Sequence, residues 1–176
     1  MRFVIVVACD INRGIGIKNA IPWFLPSEFR WLYRITTHTS DPDKMNALLM
    51  GRKTWDSIPV ERRPLAKRIN IILSRTSGGG KDGELFFSDL DSVLDFLDRT
   101  DSIETCYIFG GAHIYEECLS RGIVDEVIET EIQKSFFVDT WMPSLPDSFA
   151  LQRSESLILD GIPVVRRTYE NRKSQK

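Results

Sequence analysis

The sequence predicts an α/β fold: a single domain on one mixed, mostly parallel sheet of about eight strands, flanked by helices and ending in an antiparallel hairpin. Three observations support this. Phe3-Val4-Ile5-Val6-Val7-Ala8 is an apolar run without alternation, as expected of a strand covered on both faces. Further short apolar runs then alternate with segments of helical periodicity. Near the end, Asp160-Gly161 separates two β-rich segments, which is a hairpin signal.

Taken in order, the first strand leads into residues 9–22, which contain Gly14-Ile15-Gly16. A connection of about a dozen residues is long where two to six is usual, so it is expected to cover or bind a ligand at the carboxyl ends of the strands. Pro26 opens a helix from about Ser27, in which Glu28, Trp31, Leu32 and Ile35 recur at helical spacing. That stripe reads as a core face holding one acid. Burial penalises a charged carboxylate, so the group must find donors or keep its proton; the bland alternative is a first-turn glutamate turned to solvent.

A polar connection over residues 36–44 precedes a strand near 47–50, and Gly51 breaks it before Arg52-Lys53-Thr54-Trp55 opens a short helix. The next strand, 69–73, ends at Ser74-Arg75, and residues 77–83 with three successive glycines read as an exposed turn. Ser88 and Asp91 form a capping-box pattern for a helix through about Arg99. A strand over 106–109, a turn at Gly110-Gly111, a helix over 112–120 closed near Gly122, and a strand over 124–132 complete the alternation before the hairpin. The domain is expected to span residues 1–170, with 171–176 a frayed polar tail.

At 176 residues the chain suits one domain and is short for a second fused enzyme. With 23 basic against 25 acidic residues, bulk charge points to neither nucleic acid nor an anionic membrane. Cys9, Cys106 and Cys118 lack C-x-x-C spacing and lie in or beside apolar elements, the pattern of reduced, buried thiols. His38 and His113 stand far apart without partners at ligand spacing, so no metal is expected. No apolar run approaches bilayer length and no leader pattern is evident. The expectation is a soluble, cytoplasmic monomer.

Two glycine signals resemble phosphate motifs without matching them. Gly14-Ile15-Gly16-Ile17-Lys18-Asn19 lacks a third glycine, and Gly51-Arg52-Lys53-Thr54 has no glycine five residues before its lysine. Even so, a strand, a glycine and a helix start supply free N–H groups, here with added charge and a hydroxyl. Phe109-Gly110-Gly111-Ala112 repeats the design. Two such starts in one sheet suit a molecule with several phosphates, such as a dinucleotide, and Arg75 beyond a buried strand suits the 2′-phosphate of NADP. Arg68, immediately before an apolar strand, could grip a carboxylate through paired bonds.

Over about residues 3–169 the chain resembles dihydrofolate reductase. The likeness lies in Gly14-Ile15-Gly16, in Asn19-Ala20-Ile21-Pro22-Trp23 leading to Glu28, and in Met50-Gly51-Arg52-Lys53-Thr54-Trp55 with Ser57-Ile58. It continues through Arg63-Pro64-Leu65, Arg68-Ile69-Asn70, Leu73-Ser74-Arg75, Phe109-Gly110-Gly111, Tyr115, Thr130 and Asp139-Thr140.

The resemblance implies reduction of 7,8-dihydrofolate by NADPH. It makes Glu28 the acid that binds the pterin, with Trp23 and Thr130 organising water and hydroxyl around it. Val6, Val7, Phe29, Leu32, Tyr33, Ile58, Leu65, Phe109 and Tyr115 would wall the substrate, and Arg68 would hold its glutamate α-carboxylate. Gly14, Ile15, Gly16, Ile17, Lys18, Asn19 and Ala20 would form a lid over the nicotinamide. The rest of NADPH falls to Ala8, to Gly51, Arg52, Lys53 and Thr54, and to Leu73, Ser74, Arg75 and Thr76. Gly110, Gly111, Ala112, His113, Ile114, Tyr115, Glu116 and Glu117 complete the set, with a cis peptide implied at Gly110-Gly111. Antifolate inhibitors would share the substrate site.

The chain departs from the family pattern at Ser88-Asp89, where many relatives carry a basic residue, and at Ala20 and Phe24 in the lid segment. Two other functions compete: a related NADPH-dependent pterin or pyrimidine reductase, and a folate- or nucleotide-binding module without catalysis.

Overall fold

The computed structural model describes residues 1–76 and 83–175. Its main sheet has eight strands. The first, β1 (Arg2–Asp10), is central, and Val4, Ile5, Val6, Val7 and Cys9 are buried in it. With β2 (Gly14–Gly16), β3 (Met45–Gly51), β4 (Arg68–Leu73), β5 (Glu84–Phe87), β6 (Ile103–Gly110), β7 (Glu126–Ile132), β8 (Thr140–Trp141), β9 (Phe149–Leu159) and β10 (Ile162–Asn171), the sheet order is β5-β4-β3-β6-β1-β7-β10-β9. Pairing is parallel from β5 to β7, and β10 runs antiparallel to both β7 and β9. The expected α/β sheet with a terminal hairpin is the observed one.

Two strand features were not expected. β5 is a four-residue edge strand, half-buried at every position, and too short to show a period. β2 and β8 form a separate two-stranded sheet, pairing Gly14 with Trp141 and Gly16 with Thr140. The expected turn over 77–83 lies outside the described residues apart from Gly83.

The helices are α1 (Pro26–Thr37), α2 (Arg52–Ser57), α3 (Leu90–Asp98) and α4 (Ala112–Ser120). On one face, Leu90, Val93 and Leu97 of α3 and Ile114, Cys118 and Leu119 of α4 pack with Ile5, Ala47, Leu49, Ile71 and Ile108. On the other, Trp55 of α2 packs with Leu48, Met50 and Ile72. The cap of α3 is Asp89, whose carboxylate accepts from Ser92 N at 2.8 Å while Ser88 Oγ donates to it. The expected box began one residue early, because serine and aspartate side by side give the same sequence signal. Those bonds hold the Asp89 carboxyl down at about 2.

The stripe on α1 is not a packed core face. Its buried residues are Glu28 and Thr36, whereas Trp31, Leu32 and Ile35 are only half-buried. Helical spacing marks a shared face but not what covers it. The start of α1 is tied to the β9–β10 turn: Asp160 accepts from Ser27 N at 2.8 Å and from Ser27 Oγ at 2.7 Å. The end is tied to β3, where Asn46 Nδ2 donates to Thr36 O and His38 O.

Residues expected to form the start of the tail are structured. Asn171 is buried, its Nδ2 donates to Val124 O at 2.9 Å, and Arg172–Gln175 continue as a 3₁₀ turn. The three cysteines are free and buried, and burial raises each thiol, that of Cys118 to about 12. Among the described residues, no helix is long and apolar enough to cross a membrane.

Candidate active site

Glu28 lies in the first turn of α1, facing β7 and β10, and is 8% exposed. Its Oε1 accepts from Thr130 Oγ1 at 2.7 Å. Its Oε2 accepts from Arg166 Nη2, and Arg166 Nε donates to Thr130 Oγ1 at 3.1 Å. The threonine hydroxyl therefore gives its proton to the acid and a lone pair to the guanidinium. The guanidinium carbon also sits 3.6 Å from the centroid of the Trp31 ring, a cation–π contact. These bonds answer the choice left by the sequence: the acid finds donors.

Arg166 was not among the expected site residues. It is paired directly with Thr130 in the β7–β10 register, two positions along the same strand from buried Val164. The alternation Val164, Arg166, Thr168 is visible in the sequence, but the strand that Arg166 opposes is not.

The other expected residues fall into three groups. Near the acid, Trp23 is buried with Leu25, Ile132 and Val164 and meets Phe136 edge-on at 5.3 Å. Val6 and Ala8 share the Thr130 face of β1, whereas the Val7 side chain lies in the opposite core, so strand alternation removes it from the wall. Tyr115 is also in that core, its hydroxyl donating to Val6 O at 3.2 Å. Ile58, Leu65 and Phe109 pack against the cluster beneath α2; Leu32 is half-buried, and Phe29 and Tyr33 are exposed. Beside the buried acid, α1 thus carries the partly covered Leu32 and the exposed Phe29 and Tyr33.

Arg68 is 8% exposed at the start of β4. Its Nη1 donates to Thr36 Oγ1 at 2.9 Å and its Nε to Ala66 O at 3.0 Å, while the guanidinium carbon lies 5.1 Å from the Tyr33 ring centroid. Among the described residues nothing accepts from Nη2. Asn70 braces the approach, bonding Leu65 N, Leu65 O and Arg68 O. Burial pulls the Arg68 guanidinium below its ordinary pKa.

The third group lies along the carboxyl edge of the sheet. A Cβ on Gly110, where φ is +89°, would come within 2.6 Å of the Tyr115 ring, and one on Gly51 would meet Ile114 at 3.2 Å. The β3–α2 and β6–α4 junctions are thus side by side, with Gly111 next to Thr54 Oγ1, and the Gly110–Gly111 peptide is cis. Arg52 pairs with Asp56 and Lys53 O accepts from Asn19 Nδ2 at 3.0 Å. Leu73 and Ser74 are half-buried, and Arg75 and Thr76 are exposed beyond β4. In α4 the side chains of Ala112, His113, Glu116, Glu117 and Ser120 lie outside the core, whereas Ile114 and Tyr115 point into it.

The lid segment is anchored at several points. Buried Asp10 accepts from Asn12 N, Gly14 N and Phe136 N. Lys18 N donates to Asp139 Oδ2, Asp139 N to Gly16 O, and Ile17 and Ala20 exchange backbone bonds. A side chain at Gly14 would collide with Val138. Ile15 packs partly against the main core.

A family model described as dihydrofolate reductase matches residues 2–171. A dihydrofolate reductase of Drosophila melanogaster is 38% identical over 151 residues, covering 85% of this chain and 83% of that protein. That of Candida albicans is 37% identical over 160 residues, covering 88% and 82%. The bifunctional dihydrofolate reductase-thymidylate synthase 1 of Arabidopsis thaliana is 39% identical over 152 residues, which cover 83% of this chain but 29% of that protein. With the match spanning both the acid-bearing cleft and the glycine junctions, the chain belongs to the dihydrofolate reductase family and is an oxidoreductase.

Proposed function

We propose that this protein reduces 7,8-dihydrofolate to 5,6,7,8-tetrahydrofolate with NADPH, acting as a cytoplasmic monomer that supplies one-carbon metabolism. The observation that carries the reading is Glu28, a buried carboxylate bonded to a hydroxyl in a cleft wall of half-covered apolar side chains. Glu28 binds the pterin through its amino group and ring N–H, and Trp23 and Thr130 fix the hydrogen bonding around the carboxylate. Val6, Leu32, Ile58, Leu65 and Phe109 are the apolar walls, and Arg68 offers its uncommitted Nη2 to the glutamate tail.

When bound, NADPH supplies a hydride to pterin carbon 6 and leaves as NADP⁺. The accompanying proton reaches nitrogen 5, so the carbon–nitrogen double bond becomes a CH–NH unit. Protonation of nitrogen 5 makes carbon 6 easier to reduce, and Glu28 favours the protonated ring only as far as Arg166 leaves the charge of its carboxylate uncompensated. The residues fit the cofactor: Gly51, Gly110 and Gly111 set the β3–α2 and β6–α4 junctions side by side, the first turn of α4 has N–H groups without helical partners, and Arg75 offers a cation to a 2′-phosphate. The lid excludes water from the reacting atoms.

The test is steady-state consumption of NADPH in the presence of dihydrofolate, repeated with an unconjugated dihydropterin. Turnover that requires the glutamate-bearing substrate supports the reading. Equal efficiency with the bare pterin would make the protein a pterin reductase, and binding of both without turnover a non-catalytic module.

A further inference from the structure

We infer that Arg166 is a specificity-determining residue of this site: it occupies the acid before any ligand arrives and disfavours positively charged ring ligands relative to neutral ones. The inference rests on the proposed function only in taking Glu28 as the ligand-binding acid. A planar ring that donates two parallel N–H bonds to a carboxylate uses both oxygens. Here Oε1 already accepts from Thr130 and Oε2 from Arg166, so an arriving ring must share Oε2 with the guanidinium or displace it.

The guanidinium is held on three sides. Nη2 is bound to Glu28, Nε to Thr130, and the flat face lies on Trp31. Both charged side chains are largely buried, Arg166 at 13% and Glu28 at 10% exposure. The pair presents no net charge to the cleft. Across the β9–β10 register Arg166 faces Glu155, which is itself paired with Arg153 on the same face.

A cationic ring, such as a protonated 2,4-diaminopyrimidine, therefore meets a balanced ion pair and a like charge at contact range instead of a lone carboxylate. A neutral 2-amino-4-oxo ring, which is the pattern of the substrate, meets the same donors without the repulsion. Like charges a few ångströms apart in a half-desolvated site separate such ligands by about ten- to a hundredfold.

The experiment measures dissociation constants of a 2,4-diaminopyrimidine and of its neutral 2-amino-4-oxo counterpart by tryptophan fluorescence quenching at neutral pH. It uses the full chain as wild type, Arg166→Gln and Arg166→Lys. Glutamine can keep a bond to Oε2 without charge, and lysine keeps charge without the fork. Arg166→Gln should bind the diaminopyrimidine about ten- to a hundredfold more tightly, with the neutral ring changed less than about threefold, and Arg166→Lys should keep the wild-type ratio. Equal tightening of both rings would reduce Arg166 to a steric plug, and equal weakening would make it a ligand-holding group; either overturns the inference. If the glutamine variant does not fold, a lysine variant that gains tenfold for the cation alone would overturn it as well. Absence of turnover in the wild type would remove the proposed reaction, yet the ratio of the two constants would still decide the role of Arg166.

Discussion

Glu28 and Glu129 are both buried acids, and each meets an arginine from consecutive positions of β10, Arg166 and Arg167, on opposite faces of the same strand pair. Around Glu129 the structure is closed. Arg13 Nη1 donates to it at 3.3 Å while Arg13 Nη2 holds Pro143 O, and Arg167 is shared between Glu129 and Glu131. Around Glu28 it is open: Trp31, Leu32 and Ile35 are half-covered and Phe29 and Tyr33 exposed. Burial and ion pairing are common to both, so neither marks a functional site. Unfinished apolar packing beside the acid does.

The largest effect that would break this comparison concerns the acids themselves. Glu28→Gln should lower kcat/KM for dihydrofolate at pH 7 by about 10²- to 10⁴-fold with NADPH affinity nearly intact, and activity should partly recover as pH falls and solvent protonates the substrate. A deficit of the same size at every pH would remove Glu28 from control of that proton. Glu129→Gln should instead leave the kinetics unchanged and lower stability by about 1 to 3 kcal/mol in urea unfolding, because Arg13 and Arg167, both only partly covered, lose a buried anion. Comparable loss of turnover in both variants would defeat the distinction.

The same criterion applied to arginines predicts a smaller effect. Among the described residues Arg68 Nη2 has no acceptor, whereas both terminal nitrogens of Arg167 are paired with Glu129 or Glu131. Arg68→Leu should weaken folate binding about ten- to a hundredfold while sparing a pterin without the glutamate tail, and Arg167→Leu should change neither. Isothermal titration with the two ligands separates the cases.

The smallest effect lies in pH dependence on the closed side. The Arg167 hydrogen bond holds the Glu131 carboxyl below its ordinary pKa. A depressed folded-state pKa means stability that is present above the unfolded value and is lost as pH falls through the folded one. The urea midpoint should therefore decline below about pH 4.5, less steeply in Glu131→Gln. An identical acid limb in both proteins would show that the pair contributes nothing.

The sequence carried the sheet, the helix order and the oddity of Glu28 because each depends on residues close together in the chain. Arg68 was legible for the same reason, standing directly before its strand. Arg166 was not, since its partner Thr130 is 36 positions away and only the β7–β10 register brings them together. Val7 was misread because a doubly covered strand does not announce which alternate residues face the cleft. The α1 stripe shows the limit from the other side: helical periodicity is the same whether a face is packed or lines open space.

Asp160 joins the two elements that carry the acid and its arginine. It sits with positive φ beside Gly161 at the β9–β10 turn and accepts both the backbone N–H and the hydroxyl of Ser27, immediately before Glu28. Tips of surface hairpins are ordinarily where a fold tolerates insertion and drift. Here the tip is the fixed end of a two-armed lever, one arm ending at Glu28 and the other at Arg166, so lengthening the turn would misalign the ion pair without touching either of its members.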